Sequence, residues 1–201
     1  MYRIALQIQK VIHTLQGDWI VPKNAYEKNL CKALDWQVFD DRYYDAYNGE
    51  LYIEIKKGQG GMHFDLCRYA EILLGHGQGD TVTVFFRWNK ARKKIFEAYV
   101  IDTKDLIEFL QINKDFALLY LRVKARVPRG VNILASATAK DLRELSTYIV
   151  QEDGSIVSNP REKKYVTQQR KKKVWTQQSI QSFLKEKRKS ENKNSILFYL
   201  F

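Results

Sequence analysis

Apolar residues first recur at helical spacing at Ile4, Ala5, Ile8, Val11, Ile12 and Leu15, with Gln7, Gln9, Lys10 and His13 between them, until Gly17 interrupts the pattern. This predicts an amphipathic helix within 1–17 whose stripe packs on its own domain or at a dimer interface. A second helix is expected after Pro22, with Asn24 as N-cap and Tyr26, Leu30, Ala33 and Leu34 inward. The period then drops to two. Asn48-Gly49, set between the alternating runs 42–47 and 50–57, predicts a hairpin with a two-residue turn. Beyond a glycine turn at 58–61, residues 63–74 read as a helix, 81–88 and 95–101 as neighbouring antiparallel strands, and Asp102 or Thr103 as the cap of a helix through Leu110. Residues 118–123 suggest a strand, 138–149 a helix and Asp153-Gly154 a turn, while the apolar end, 196–201, is expected to dock. Alternating helices and strands make this an α/β chain with a central mixed sheet flanked by helices.

Alternation along the hairpin sorts its side chains. With a two-residue turn, Asp41, Asp45, Glu54 and Lys56 share one face, and Tyr44, Ala46, Leu51, Ile53 and Ile55 share the other. Three gathered acids repel one another unless a positive charge sits among them, which Mg²⁺ bound by two carboxylates would supply. Acid-x-Lys occurs four times in the chain, and only Glu54-Ile-Lys56 lies in an apolar-alternating strand opposite another acid. Asp45, Glu54 and Lys56 are therefore the candidate catalytic set, with Asp45 and Glu54 as metal ligands. Glu27, Asp41 and Gln59 are placed at the edge of the site.

Composition narrows the partner. A chain of 201 residues that is 45% apolar, with only three prolines, has the makings of one folded domain. Its two cysteines, Cys31 and Cys67, have no metal-ligand spacing, and with no signal peptide or membrane-spanning run a cytoplasmic location is expected. Residues 160–193 carry 12 Lys or Arg against 3 acids, a net +9 within a total of +11. Arg170, Lys171, Lys172, Lys173 and Trp175 in this tract are candidate DNA contacts.

The run Asp45-Ala-Tyr-Asn-Gly-Glu-Leu-Tyr-Ile-Glu54-Ile-Lys56 resembles the catalytic hairpin of the PD-(D/E)XK nuclease superfamily, and more narrowly that of the small type II restriction endonucleases of the blunt-cutting Pvu type. The stretch 95–109 is similar to their following strand-to-helix unit, so the resemblance spans roughly 20–110, with Tyr44 standing where the superfamily motif has proline. It implies a restriction-endonuclease-like sheet and a homodimer that hydrolyses double-stranded DNA with Mg²⁺, leaving 5′-phosphate and 3′-hydroxyl ends. Two other readings use the same residues. A Holliday-junction resolvase or repair nuclease would keep the chemistry and change the substrate, and a non-enzymatic basic DNA- or RNA-binding protein would make the acidic face incidental.

Overall fold

The computed structural model describes residues 1–17, 23–39, 41–77, 79–127 and 133–159. These group into two compact units, one drawn from 1–17, 23–39, 41–63, 77, 79–106 and 136–159 and one from 64–76, 107–127 and 133–135. The basic tract, its five candidate contacts and the apolar C-terminal segment lie outside the described residues. No helix among those described is long and apolar enough to cross a membrane.

The first unit is a mixed α/β arrangement around a seven-stranded sheet. In chain order its strands are β1 (Gln37–Val38), β2 (Ala46–Tyr47), β3 (Tyr52–Gly58), β5 (Thr81–Asn89), β6 (Lys94–Asp102), β8 (Tyr148–Gln151) and β9 (Ile156–Ser158). They also neighbour one another in that order. Only β3 and β5 run parallel, the chain between them being long enough for a crossover; every other pair is antiparallel. Both edge strands are two or three residues long, which limits the unpaired backbone they offer to another chain.

One face of this sheet is the hydrophobic core. Ile53 and Ile55 of β3, Val82, Val84, Phe86 and Trp88 of β5, and Ala98 and Val100 of β6 pack with two helices, α1 (Tyr2–Val11) and α2 (Lys23–Leu34). The α1 stripe, Ile4, Ala5 and Ile8, is at 0% exposure, so the chain's own sheet takes up the apolar face. A 3₁₀ turn, Ile12–Thr14, continues the helix and buries Ile12 as well. On α2 the buried residues are Tyr26, Leu30, Cys31 and Leu34, whereas Ala33 is exposed. The helix also starts one residue before Asn24, which lies inside its first turn and not at its cap. The opposite sheet face carries α6 (Ala139–Leu145), whose Arg143 reaches Glu97 on β6.

The hairpin turn is longer than expected. Tyr47 pairs with Tyr52 and Ala46 with Ile53, leaving four residues in the turn, where Asn48 Oδ1 accepts from the backbone N–H groups of Glu50 at 3.1 Å and Leu51 at 2.9 Å. Only Gly49 takes a positive φ, +95°, so the Asn-Gly pair builds an Asx-type turn instead of the two-residue form. The register slips by two, which keeps the paired residues on their expected faces, whereas Tyr44, expected on the core face, precedes the paired segment and packs its ring 4.9 Å from that of Tyr52.

Residues 58–65 also differ from the sequence expectation. The glycine turn leads into a strand, β4 (Gly61–Asp65), which pairs with β7 (Leu134–Thr138), and helix α3 begins only at Leu66. A Cβ on Gly61 would stand 2.4 Å from the Ala137 carbonyl oxygen, and this close approach is what the glycine permits. The helix expected over 138–149 ends at Leu145. Ser146 leaves the helical region, its hydroxyl donates to the Arg143 carbonyl at 2.6 Å, and the β-branched pair Ile149-Val150 joins β6 as β8. By contrast, α4 (Thr103–Phe109) starts as expected, with Asp102 Oδ1 accepting from Lys104 N at 2.9 Å.

The second unit pairs α3 (Leu66–Leu73) with α5 (Lys114–Lys124). The strand expected over 118–123 is a helix here. Asn113 caps it by accepting from Phe116 N at 2.8 Å, Asp115 lies in its first turn, and Arg122 and Lys124 lie in its last. Phe116, Ala117 and Tyr120 are its buried residues, a helical spacing that a window confined to 118–123 hides. Glu71 of α3 is 2% exposed and accepts from Tyr120 Oη at 3.1 Å and from the Lys124 ammonium.

Candidate functional site

Strand β3 carries the acid and the lysine on one face because its alternate residues, Ile53 and Ile55, are committed to the core. Glu54 is 4% exposed and Lys56 8%, and the Lys56 ammonium donates to Glu54 Oε1. Two residues apart on a strand, they meet without either leaving the face.

Asp45 reaches the same place from outside the ladder. It stands just before β2, its N–H donating to the Ile53 carbonyl at 2.9 Å and its own carbonyl accepting from Phe39 N at 2.9 Å. Its carboxylate Oδ2 accepts from Ile55 N at 2.7 Å, so it sits on the peptide that follows Glu54 and precedes Lys56 by one residue. The structure thus brings Asp45 against β3 beside Glu54 and Lys56. A carboxylate offers about four lone-pair positions, more than these contacts on either acid take up.

The three edge candidates fare differently. Asp41 is exposed, and its Oδ1 accepts from Tyr43 N at 2.6 Å in the loop between β1 and β2, ahead of the residues that pair with β3. The expected strand from Arg42 onward fails here because only Ala46 and Tyr47 pair with β3. Glu27 is half-buried on α2 and lies on the Asp45 side: burial first, then Asp45 and Glu27, push the Cys31 thiol up to about 11. Burial and the same Glu27 charge also raise the Tyr26 phenol. Gln59 stands exposed on the turn after β3, and its carbonyl, which accepts from Arg87 Nε at 3.2 Å, is the part engaged.

Sequence reasoning missed a second polar group on the same sheet face. Glu97 Oε2 accepts from Arg87 Nη1 at 2.9 Å and from Tyr99 Oη at 2.7 Å, while its Oε1 accepts from Arg143 Nη1 at 3.2 Å. Burial, then the Glu97 carboxylate, pushes the Tyr99 phenol up to about 12. The available signal was a single acid within the apolar run of β6 and a single arginine within that of β5. Also unforeseen was the aromatic cluster beside the turn, in which the Tyr52 ring lies 4.9 Å from Tyr44, 4.8 Å from Tyr47 and 5.4 Å from Phe39. Lys57, by contrast, turns to the core face, its ammonium 3.6 Å from the centre of the Tyr26 ring.

Chemically, two carboxylates and an ammonium on one strand face can bind a hard cation and an oxyanion side by side. Among the described residues no three His, Cys, Asp or Glu side chains gather as a metal cluster. A two-carboxylate set still suits Mg²⁺, which takes one or two carboxylates and completes its shell with water and substrate phosphate. No family model, curated protein or solved structure matches this chain.

Proposed function

We propose that the chain is a Mg²⁺-dependent endonuclease that hydrolyses double-stranded DNA, built on a restriction-endonuclease-like sheet. The finer reading is a homodimeric type II restriction endonuclease giving 5′-phosphate ends. One observation carries it: the Asp45 carboxylate rests on the backbone between Glu54 and Lys56, whose side chains are themselves paired. The net charge of +11 supports a polyanionic partner.

Asp45 and Glu54 would hold the metal, and when bound it supplies Lewis-acid polarisation of the phosphate and a water of lowered pKa. The protein's own part is positional. Asp45 is held by the Ile55 amide, which fixes the carboxylate against the strand. Lys56 carries three donors, so its ammonium can orient an attacking water while touching Glu54, and it offsets the negative charge that builds on the phosphorane. The alternation that buries Ile53 and Ile55 keeps these groups from rotating away.

The burial of Glu54 and Lys56 favours one rival, a basic nucleic-acid-binding protein in which they are a structural ion pair. Supercoiled plasmid incubated with and without Mg²⁺ separates the two. Discrete products from the wild type that require the metal and disappear with Asp45→Ala and Lys56→Ala support the nuclease, whereas plasmid left intact in every lane refutes it. Removing the ammonium should reduce turnover by about 10²–10³-fold, the usual loss for a donor aimed at developing charge, with DNA affinity nearly unchanged. Ready cutting of branched DNA, with plain duplex cut at no fixed sequence, would shift the reading to a junction-resolving or repair nuclease.

A further inference from the structure

We infer that Arg87 and Arg143, spread apart by the buried carboxylate of Glu97, form a separate phosphate-binding point for a nucleic-acid backbone. The inference rests on the nuclease reading only for the identity of the polymer whose phosphate is held.

Charge is the first argument. Glu97 is 8% exposed and a single negative charge, yet two guanidinium groups converge on it, one on each oxygen. One arginine suffices to balance a buried carboxylate, so the second leaves a net positive charge at the surface. The arginine side chains are 33% and 46% exposed, so that charge is open to solvent and to a ligand.

Donor geometry is the second. Arg87 spends Nη1 on Glu97 and Tyr99 and Nε on the Gln59 carbonyl. Arg143 spends only Nη1. A guanidinium has five N–H groups in a planar fork matched to phosphate oxygens, so Nη2 of Arg87 and both Nε and Nη2 of Arg143 remain to donate. Arg87 is also braced against the Phe96 ring, 4.9 Å from its centre, and a side chain already ordered loses little freedom on binding.

The surroundings admit an anion. Gln59 leads into Gly60, around which a Cβ would meet nothing within 4 Å, and into a cavity of about 250 Å³ lined by Gly60, Gly61, His63, Ser136 and Thr138 among others, none of them acidic. His63 Nδ1 and Ser136 Oγ lie 2.8 Å apart at its wall. Arg87 pairs across the sheet with Gly58, two residues on from Lys56, so the strand rise separates the two rows by about 7 Å. One backbone can therefore engage both the lysine and the arginines.

The test measures binding of the full chain to a short fluorescein-labelled DNA duplex in EDTA, across a series of salt concentrations. Arg143→Gln and Arg87→Gln should each make the slope of log affinity against log salt shallower by about 0.9, the value for one lost phosphate contact, while Arg143→Lys should keep the wild-type slope. A purely structural role predicts lower melting temperatures with unchanged slopes. Unchanged slopes in both glutamine variants, or no duplex binding by the wild type, would overturn the inference. Should Arg87→Gln fail to fold, Arg143→Gln decides alone, since that side chain is nearly half exposed and, among the described residues, is tied down only through its bond to Glu97. Because the duplex is not cut in EDTA, the outcome is independent of the plasmid assay. Shallower slopes in the glutamine variants with no plasmid cleavage by the wild type would refute the nuclease and leave the phosphate point standing.

Discussion

Lys56 and Glu54 form a buried pair, and breaking such a pair leaves an uncompensated charge. Lys56→Met should therefore destabilise the fold by about 3–5 kcal/mol in urea unfolding. Adding Glu54→Gln to it should recover most of that loss, because a neutral amide beside a methionine has no charge left to desolvate. A double variant as unstable as the single one would contradict the ion-pair account. Asp45→Asn tests a different point: its side-chain oxygen can still accept from Ile55 N, so folding should survive while plasmid cutting is lost. These three residues were legible in the sequence because strand parity is insensitive to a register slip of two. Asp41 was not, since its place depended on pairing that stops at Ala46.

At the scale of elements, local hydrogen bonds decide where strands and helices stop. Asn48 holds the turn through two backbone N–H groups, so Asn48→Ala should cost about 1–2 kcal/mol, and Gly49→Ala should cost about 1 kcal/mol through its positive φ. Both are read as shifts in the urea midpoint. Likewise Asn113→Ala should weaken α5 by about 1 kcal/mol by leaving the Phe116 N–H without its cap. That cap is the feature that turns 118–123 into a helix: the apolar run alone fits either period, and only Asn113 upstream and the buried Phe116, Ala117 and Tyr120 select 3.6. Ser146 acts in the opposite sense, ending α6 so that β8 can pair with β6.

At the scale of the molecule, burial couples stability to pH. Burial first, then the nearby Asp65 carboxylate, pushes the Cys67 thiol up to about 12. An ionisable thiol raised in the folded state keeps its proton there longer than in the unfolded chain. Its contribution is thus fully present below the ordinary thiol value of 9.0 and is lost as pH rises toward 12. The unfolding midpoint should fall across this window, and more gently in Cys67→Ala than in the wild type. Both cysteines are at 0% exposure and have raised values, so neither should react with a thiol reagent at neutral pH until the chain is unfolded.

The sequence by itself determined the α1 stripe, the paired strands β5 and β6, the faces of the hairpin and the company of Asp45, Glu54 and Lys56. All of these follow from periods of 3.6 and 2 that act within a few residues. Only the tertiary structure decided the four-residue turn, the strand β4, the helical state of α5 and the meeting of Arg87, Glu97 and Arg143. The strand β4 and the Arg87–Glu97–Arg143 cluster depend on partners dozens of residues away, as when Glu97 meets Arg143, 46 positions later, because β6 and α6 fold onto one another; the turn and α5 hang on the side-chain bonds of Asn48 and Asn113, and no hydrophobic period records either kind of contact.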